Sequence, residues 1–157
     1  MILGVILVGW LTLMWRLSSA DGTETLQDSM RIAKKLGSLL FDAPTQAQLN
    51  RLNLILRKLA HIFLYAVLGL IVAMLWDLLF DRFQIWLRAV LSFVCCTIVA
   101  FLDELQKIPI AGRHFSASES ILNAVSAWIV ISLYFLLIWA IHLHQSKSKN
   151  MHNKKTS

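Results

Sequence analysis

Apolar runs and short polar connections alternate along the chain, and the lengths of the runs set the first expectation. Met1–Leu17 carries no charge before Arg16, Leu59–Leu79 holds only His61 and Asp77, Phe83–Leu102 holds only Arg88, and Ile121–Ile141 holds none. Each run approaches the roughly 20 residues a helix needs to cross the hydrocarbon of a bilayer. The pattern predicts an all-α integral membrane four-helix bundle with spans at about 1–18, 58–79, 84–104 and 119–142. These form one domain over 1–145, followed by a basic tail at 146–157.

The polar connections have structure of their own. Between the first two spans, Leu26, Met30, Ala33, Leu36 or Gly37, and Leu40 recur at helical spacing, with Gln27, Asp28, Arg31, Lys34 and Lys35 on the other face. This predicts an amphipathic helix lying in the headgroup plane. Pro44 ends that segment, and Thr45-Gln-Ala-Gln48 is a capping box that starts a new helix. Leu49, Leu52 and Leu56 can carry it into the second span. Phe80–Phe83 makes a tight hairpin. The third span should stop before Pro109, because proline disfavours a helical residue ahead of it. Ser116-Ala-Ser-Glu119 is a second capping box opening the last span.

Composition narrows the class. With 157 residues, 57% of them hydrophobic, and a mean hydropathy of +0.64, the chain has more apolar surface than a soluble domain of its size could bury. The net charge of +6 does not indicate nucleic acid, since the basic residues flank the spans. Lys147, Lys149, Lys154 and Lys155 form a tail suited to the cytoplasm and anionic lipid. Cys95 and Cys96 are adjacent and mid-span, which suits small packing residues and neither a disulfide framework nor a metal site. No cofactor or metal motif is present. Ser18 and Ala20 stand at signal-peptidase spacing, but the n-region lacks a basic residue and Arg16 crowds the cut, so the first run is expected to stay as a span.

Charge returns where a tether would not need it. The stretch "FLDELQKIPIAGRHFSASES" holds Asp103, Glu104, Lys107, Arg113, His114 and Glu119 between two apolar runs. Four antiparallel spans bring this stretch to one face with Ser18, Ser19, Arg57, Lys58 and His61. Lys58, His61, Tyr65 and Gly69 lie on one helical stripe, and Glu119, Asn123, Ser126 and Ala127 on another. Small residues on such stripes let helices approach, and polar ones bond across the contact. The candidate ligand-binding set is therefore Lys58, His61, Tyr65, Asp103, Glu104, Lys107, Arg113, Glu119 and Asn123. Plainer readings stand beside it: Glu119 as a helix cap, Arg57 and Lys58 as headgroup anchors, His61 as a structural hydrogen-bonder, Tyr65 as a belt aromatic. Asp103 and Glu104 are harder to explain as anchors. Like charges so close need a cation, and the Arg113 fork is expected to pair with Glu104.

Two blocks, "RKLAHIFLYAVLG" and "DELQKIPIAGRHFSASESILNAVSA", resemble the VanZ-like family of small bacterial membrane proteins. The first is similar to its basic, Ala-His, aromatic, Leu-Gly run. The second is similar to its Asp-Glu, Pro-Gly-Arg, acidic, Asn block, and "WRLSSADG" weakly to a Ser-Ser-Gln element. Lys107 stands where the pattern has Gln, Ala111 where it has Pro, Ala20 where it has Gln, and Ser126 where it has Gly. The resemblance implies a multi-pass protein of the bacterial cell membrane. It also implies an envelope role, which in the member that names the family assists resistance to the glycopeptide teicoplanin.

Three functions follow. The first is a non-catalytic protein that binds an anionic lipid, a cell-wall precursor or a membrane partner, with Arg57, Lys58, Lys107 and Arg113 meeting phosphate or carboxylate. The second is an intramembrane enzyme acting on a headgroup or lipid-linked precursor, with His61 and Glu104 as acid–base pair. The chain has no HExxH, GxSxG or P-loop. The third is a transporter, which four spans without an inverted repeat support least. The tail places both termini in the cytoplasm and the polar site outside.

Overall fold

The computed structural model describes residues 2–19, 22–110 and 114–156, with side chains placed for 2–18, 29–110 and 114–145. It comprises α1 (Ile2–Ser19), α2 (Gly22–Leu40), α3 (Gln46–Leu79), α4 (Ile85–Leu105) and α5 (Ala117–Thr156). No strand occurs among the described residues. Three helices are long and apolar enough to cross a membrane: α3, α4 and α5 over Ala117–Gln145. Over Ile2–Ser18, α1 is a shorter apolar helix.

Local chemistry sets most of the boundaries. Thr45 caps α3 through its side chain, and Gln48 closes the reciprocal half of the box. The helix that carries the second span therefore begins at Gln46, where the capping box placed its start, and enters the long apolar run near residue 58. At 1.5 Å per residue its 34 residues reach about 51 Å, against roughly 30 Å of hydrocarbon. The first turns carry Arg51, Asn53 and Arg57 and stand clear of the apolar run. α4 stops at Leu105, and a turn over residues 106–109 contains Pro109. α3 and α4 join through a tight turn in which Phe83 N–H donates to Phe80 O at 3.0 Å.

The amphipathic segment forms as a helix and spends part of its apolar face on protein. Ala33 is buried, and a Cβ on Gly37 would come within 2.7 Å of Leu49 Cδ2 on α3. Leu40, placed on the apolar stripe by spacing, is 64% exposed. The seam against α3 closes at Gly37 and Pro44, so the last turn of α2 has nothing to cover it.

α3, α4 and α5 pack on one another, and α1 lies against α3. The Trp10 indole N–H donates to Leu64 O at 3.1 Å and fixes α1 there. α3 and α5 approach closely at Gly69. A Cβ at Gly69 would meet Ala127 O at 2.7 Å, so the glycine is what lets the two backbones touch. Around this point the core holds Tyr65, Leu68, Val72, Cys96, Ala100, Ala124 and Ile131. Many large apolar side chains face outward. Phe63, Trp86, Leu133 and Leu137 are all mostly exposed, a surface that water would penalise and lipid accepts.

Candidate functional site

The polar stretch between α4 and α5 closes around a lysine. Lys107 forms an ion pair with Glu104 one turn earlier and lies 3.5 Å from the Glu119 carboxylate on α5. Glu104 is fully buried and Lys107 nearly so. The second Glu104 oxygen accepts the Ser116 N–H at 3.3 Å. Ser116 Oγ in turn accepts the Glu119 N–H at 3.3 Å. The capping box is thus shared between helices. Ser116 caps α5, but a carboxylate from α4 takes the return bond that sequence assigns to Glu119. Glu119 is released to face Lys107.

Asp103 lies beside this clasp and accepts from Gln106 Nε2 at 2.7 Å. It also faces Tyr65 on α3. The Tyr65 ring is completely buried, and its hydroxyl has no hydrogen-bond partner of ordinary geometry among the described residues.

On the other side of the clasp, α3 and α5 enclose a cavity of about 50 Å³ lined by Leu54, Arg57, Lys58, His61, Glu119, Leu122 and Asn123. It holds roughly one or two waters at about 30 Å³ each, and is far below the roughly 300–1,000 Å³ of a small-molecule site. Only the charged end of a larger molecule would fit. Asn123 is 1% exposed, and its Nδ2 has no acceptor among the described residues. Arg57 and Lys58 have no carboxylate partner there either. Four side chains that can donate, Arg57, Lys58, His61 and Asn123, therefore line the cavity, while its one carboxylate, Glu119, is turned toward Lys107.

The candidate residues divide accordingly. Lys58, His61, Glu119 and Asn123 line the α3–α5 cavity. Glu104 and Lys107 bond each other, and Tyr65 and Asp103 face the α1 side. Lys107, expected to face a ligand, is buried between the Glu104 and Glu119 carboxylates. Arg113 lies outside the described residues, and so does its expected pairing with Glu104. Among the described residues no group of three His, Cys, Asp or Glu side chains converges as metal ligands would.

A second polar cluster sits toward the opposite end, where spacing alone promised none. Arg88 is buried and paired with Asp77, and Tyr134 Oη donates to the other Asp77 oxygen at 3.0 Å. Its signal was the hairpin. Asp77 stands three residues before Phe80 and Arg88 three after Ile85, so folding the turn brings them to one depth.

No family model matches the chain, and neither a curated protein nor a solved structure does.

Proposed function

We propose that the protein is a VanZ-like, multi-pass protein of the bacterial cell envelope that binds an anionic group without turning it over. The group is the phosphate or carboxylate of a lipid headgroup or lipid-linked cell-wall precursor, and it binds between α3 and α5. One observation carries this reading: Lys107 occupies the carboxylates, leaving Arg57, Lys58 and the Asn123 amide as donors around a cavity sized for a charged end. The two blocks of family resemblance contain these residues. The Asp-Glu element then acts as the frame that fixes the α4–α5 turn, and Arg57 and Lys58 do the binding.

Two further observations favour binding over acid–base chemistry. Glu104 does not line the cavity and already accepts from Lys107 and Ser116. His61 does line it, but the one acid beside it is bonded to Lys107. In this reading α1 is a fourth span. Its 18 residues reach about 27 Å, close enough to the hydrocarbon thickness for local thinning and an Arg16 anchor to complete the crossing. α2 then rests at the interface against α3.

The test is retention of anionic lipid by the purified protein in nanodiscs, read by native mass spectrometry. Charge-assisted hydrogen bonds contribute about 1.5–3 kcal/mol each, so Arg57→Gln with Lys58→Gln should weaken retention at least roughly tenfold, and Asn123→Leu several-fold. Lys155→Ala should leave it unchanged. Equal retention by all of these proteins would refute the site. Loss of glycopeptide tolerance in the same variants, with membrane abundance preserved, tests the envelope role.

A further inference from the structure

The cavity between α3 and α5 takes its lining from one face of each helix. Leu54, Arg57, Lys58 and His61 recur at helical spacing on α3, and Leu122 and Asn123 face them from α5. One turn beyond Asn123 the two backbones meet at Ala127 and Gly69, where not even a Cβ has room. That contact shuts the seam on its inner side, so whatever enters ends there and has one way out. Asn123 stands nearest the shut end. It is 1% exposed, and its Nδ2 has no acceptor among the described residues. Leu54 is 57% exposed and Lys58 is exposed beside it, which marks the mouth.

We propose that this cavity selects a terminal phosphate with a single ester arm, a phosphomonoester, and rejects the phosphodiesters of ordinary membrane lipids. The inference rests on the anion-binding reading above and narrows the ligand of that same site. The donors come from both sides: Arg57, Lys58 and His61 from α3, Asn123 from α5. An acceptor that serves them all has to face two helices at once. A carboxylate offers two oxygens in one plane, and a phosphodiester offers two unsubstituted ones. A phosphomonoester offers three, spread around the phosphorus. The Arg57 fork can span two of these while the Lys58 ammonium and the Asn123 amide reach the third. Size points the same way. About 50 Å³ takes the bare oxygens of one phosphate and little besides. A second ester arm has to leave by the mouth the first already fills, because the Gly69 contact closes the other end. Glu119 is the one lining group that would repel the ligand, and Lys107 holds it at 3.5 Å. Leu54 and Leu122 are the only apolar lining residues, and they suit the carbon of the departing arm.

Competition in phosphatidylcholine nanodiscs, read on the full chain by native mass spectrometry, tests the proposal. The probes are phosphatidate, phosphatidylmethanol, phosphatidylglycerol and oleate. Phosphatidate should be retained at least roughly tenfold better than each of the others, the worth of one charge-assisted hydrogen bond. Phosphatidylmethanol decides the matter, because it differs from phosphatidate by one methyl ester on the same phosphate. Leu54→Ala widens the mouth at an exposed position and leaves every donor in place. It should bring phosphatidylmethanol to within about threefold of phosphatidate, through gain by the diester and not loss of the monoester. Excess glycerol 3-phosphate identifies the source: displacement of phosphatidate assigns a soluble phosphomonoester and resistance a lipid one, and both support the proposal. Equal retention of phosphatidate and phosphatidylmethanol by the parent protein would overturn it. If Arg57→Gln with Lys58→Gln then abolishes both, the anion site stands and only the selectivity falls. A preference for phosphatidate that survives that double variant would belong to the charge of the lipid and would overturn the selectivity and the site together.

Discussion

Glu104 accepts donors from opposite directions, Lys107 in its own chain segment and the Ser116 amide at the start of the next helix. It is a carboxylate wholly out of contact with solvent, and its charge is tolerable only while both donors stay. Removing one member of a buried pair costs about 3–5 kcal/mol, largely because the survivor keeps its charge without a partner. Lys107→Met should therefore destabilise the protein strongly, and Glu104→Gln somewhat less, since the amide still accepts from Ser116. The double variant should recover at least half of the Lys107→Met loss. Thermal unfolding in detergent reads all three. A double variant as unstable as the sum of the singles would mean that the pair is not a coupled unit. The carboxylates were legible in sequence because nothing about anchoring a helix calls for them. The partner was not, because Lys107 and Arg113 are both within reach of Glu104 along the chain and only the turn over 106–109 brings the lysine in.

At the scale of elements, the helices were legible from run length and capping residues, while their contacts were legible only in part. Gly69 and Ala127 fell on stripes that spacing identified, and they do meet. The start of α3 was legible from the Thr45 capping box, whereas the apolar run marks only where the helix enters lipid. The α3–α5 seam gives a clean prediction. Gly69→Ala puts a Cβ 2.7 Å from a backbone oxygen, which cannot rotate away as a side chain can. The helices must separate, at a cost of about 1–3 kcal/mol for overpacking. Gly9→Ala is the control, since a Cβ there meets nothing within 4 Å. It should be neutral or slightly stabilising, as alanine holds a helix better than glycine by about 1 kcal/mol. Thermal midpoints of the two variants in one detergent decide it, and equal midpoints would mean that α3 and α5 do not touch at Gly69.

For the whole molecule, the polar groups gather toward two ends of an apolar body. The end with Lys58, His61 and Asn123 holds the proposed anion site, and the proposed orientation turns it outward. With α1 as the proposed fourth span both termini lie on one side, and the lysine tail places that side in the cytoplasm under the proposed orientation. In a background with Cys95 and Cys96 replaced, Ser38→Cys should react with an impermeant maleimide in intact cells, and Ser148→Cys only after lysis. The basic residues of the first loop pull the other way under the positive-inside rule, whereas the lysine tail supports this orientation. Label at Ser148→Cys and none at Ser38→Cys would invert the topology. Label at both would mean that an even number of helices crosses between Ser38 and Ser148, so that one of α3, α4 and α5 is not a span. Orientation was the least legible property in the sequence, because both faces carry basic residues and the rule counts them without regard to ligands they hold.

The ion pair between Asp77 and Arg88 bears on how the chain enters the bilayer. On insertion scales a lone charge costs about 2.5–3.5 kcal/mol at the middle of a span and less near an end, where Asp77 and Arg88 stand. The two lie 11 residues apart on either side of a tight turn, so they can neutralise each other as soon as that turn closes. Tyr134, on the last helix, joins them later. α3 and α4 should therefore leave the translocation machinery together, as a preassembled hairpin, and not one at a time. Asp77→Arg or Arg88→Asp alone should stall that step and send the nascent chain to membrane proteases. The exchange of both should insert as the parent does. Pulse-chase measurement of protease-protected protein distinguishes the cases, and an exchange variant degraded as fast as the singles would show that α3 and α4 partition separately.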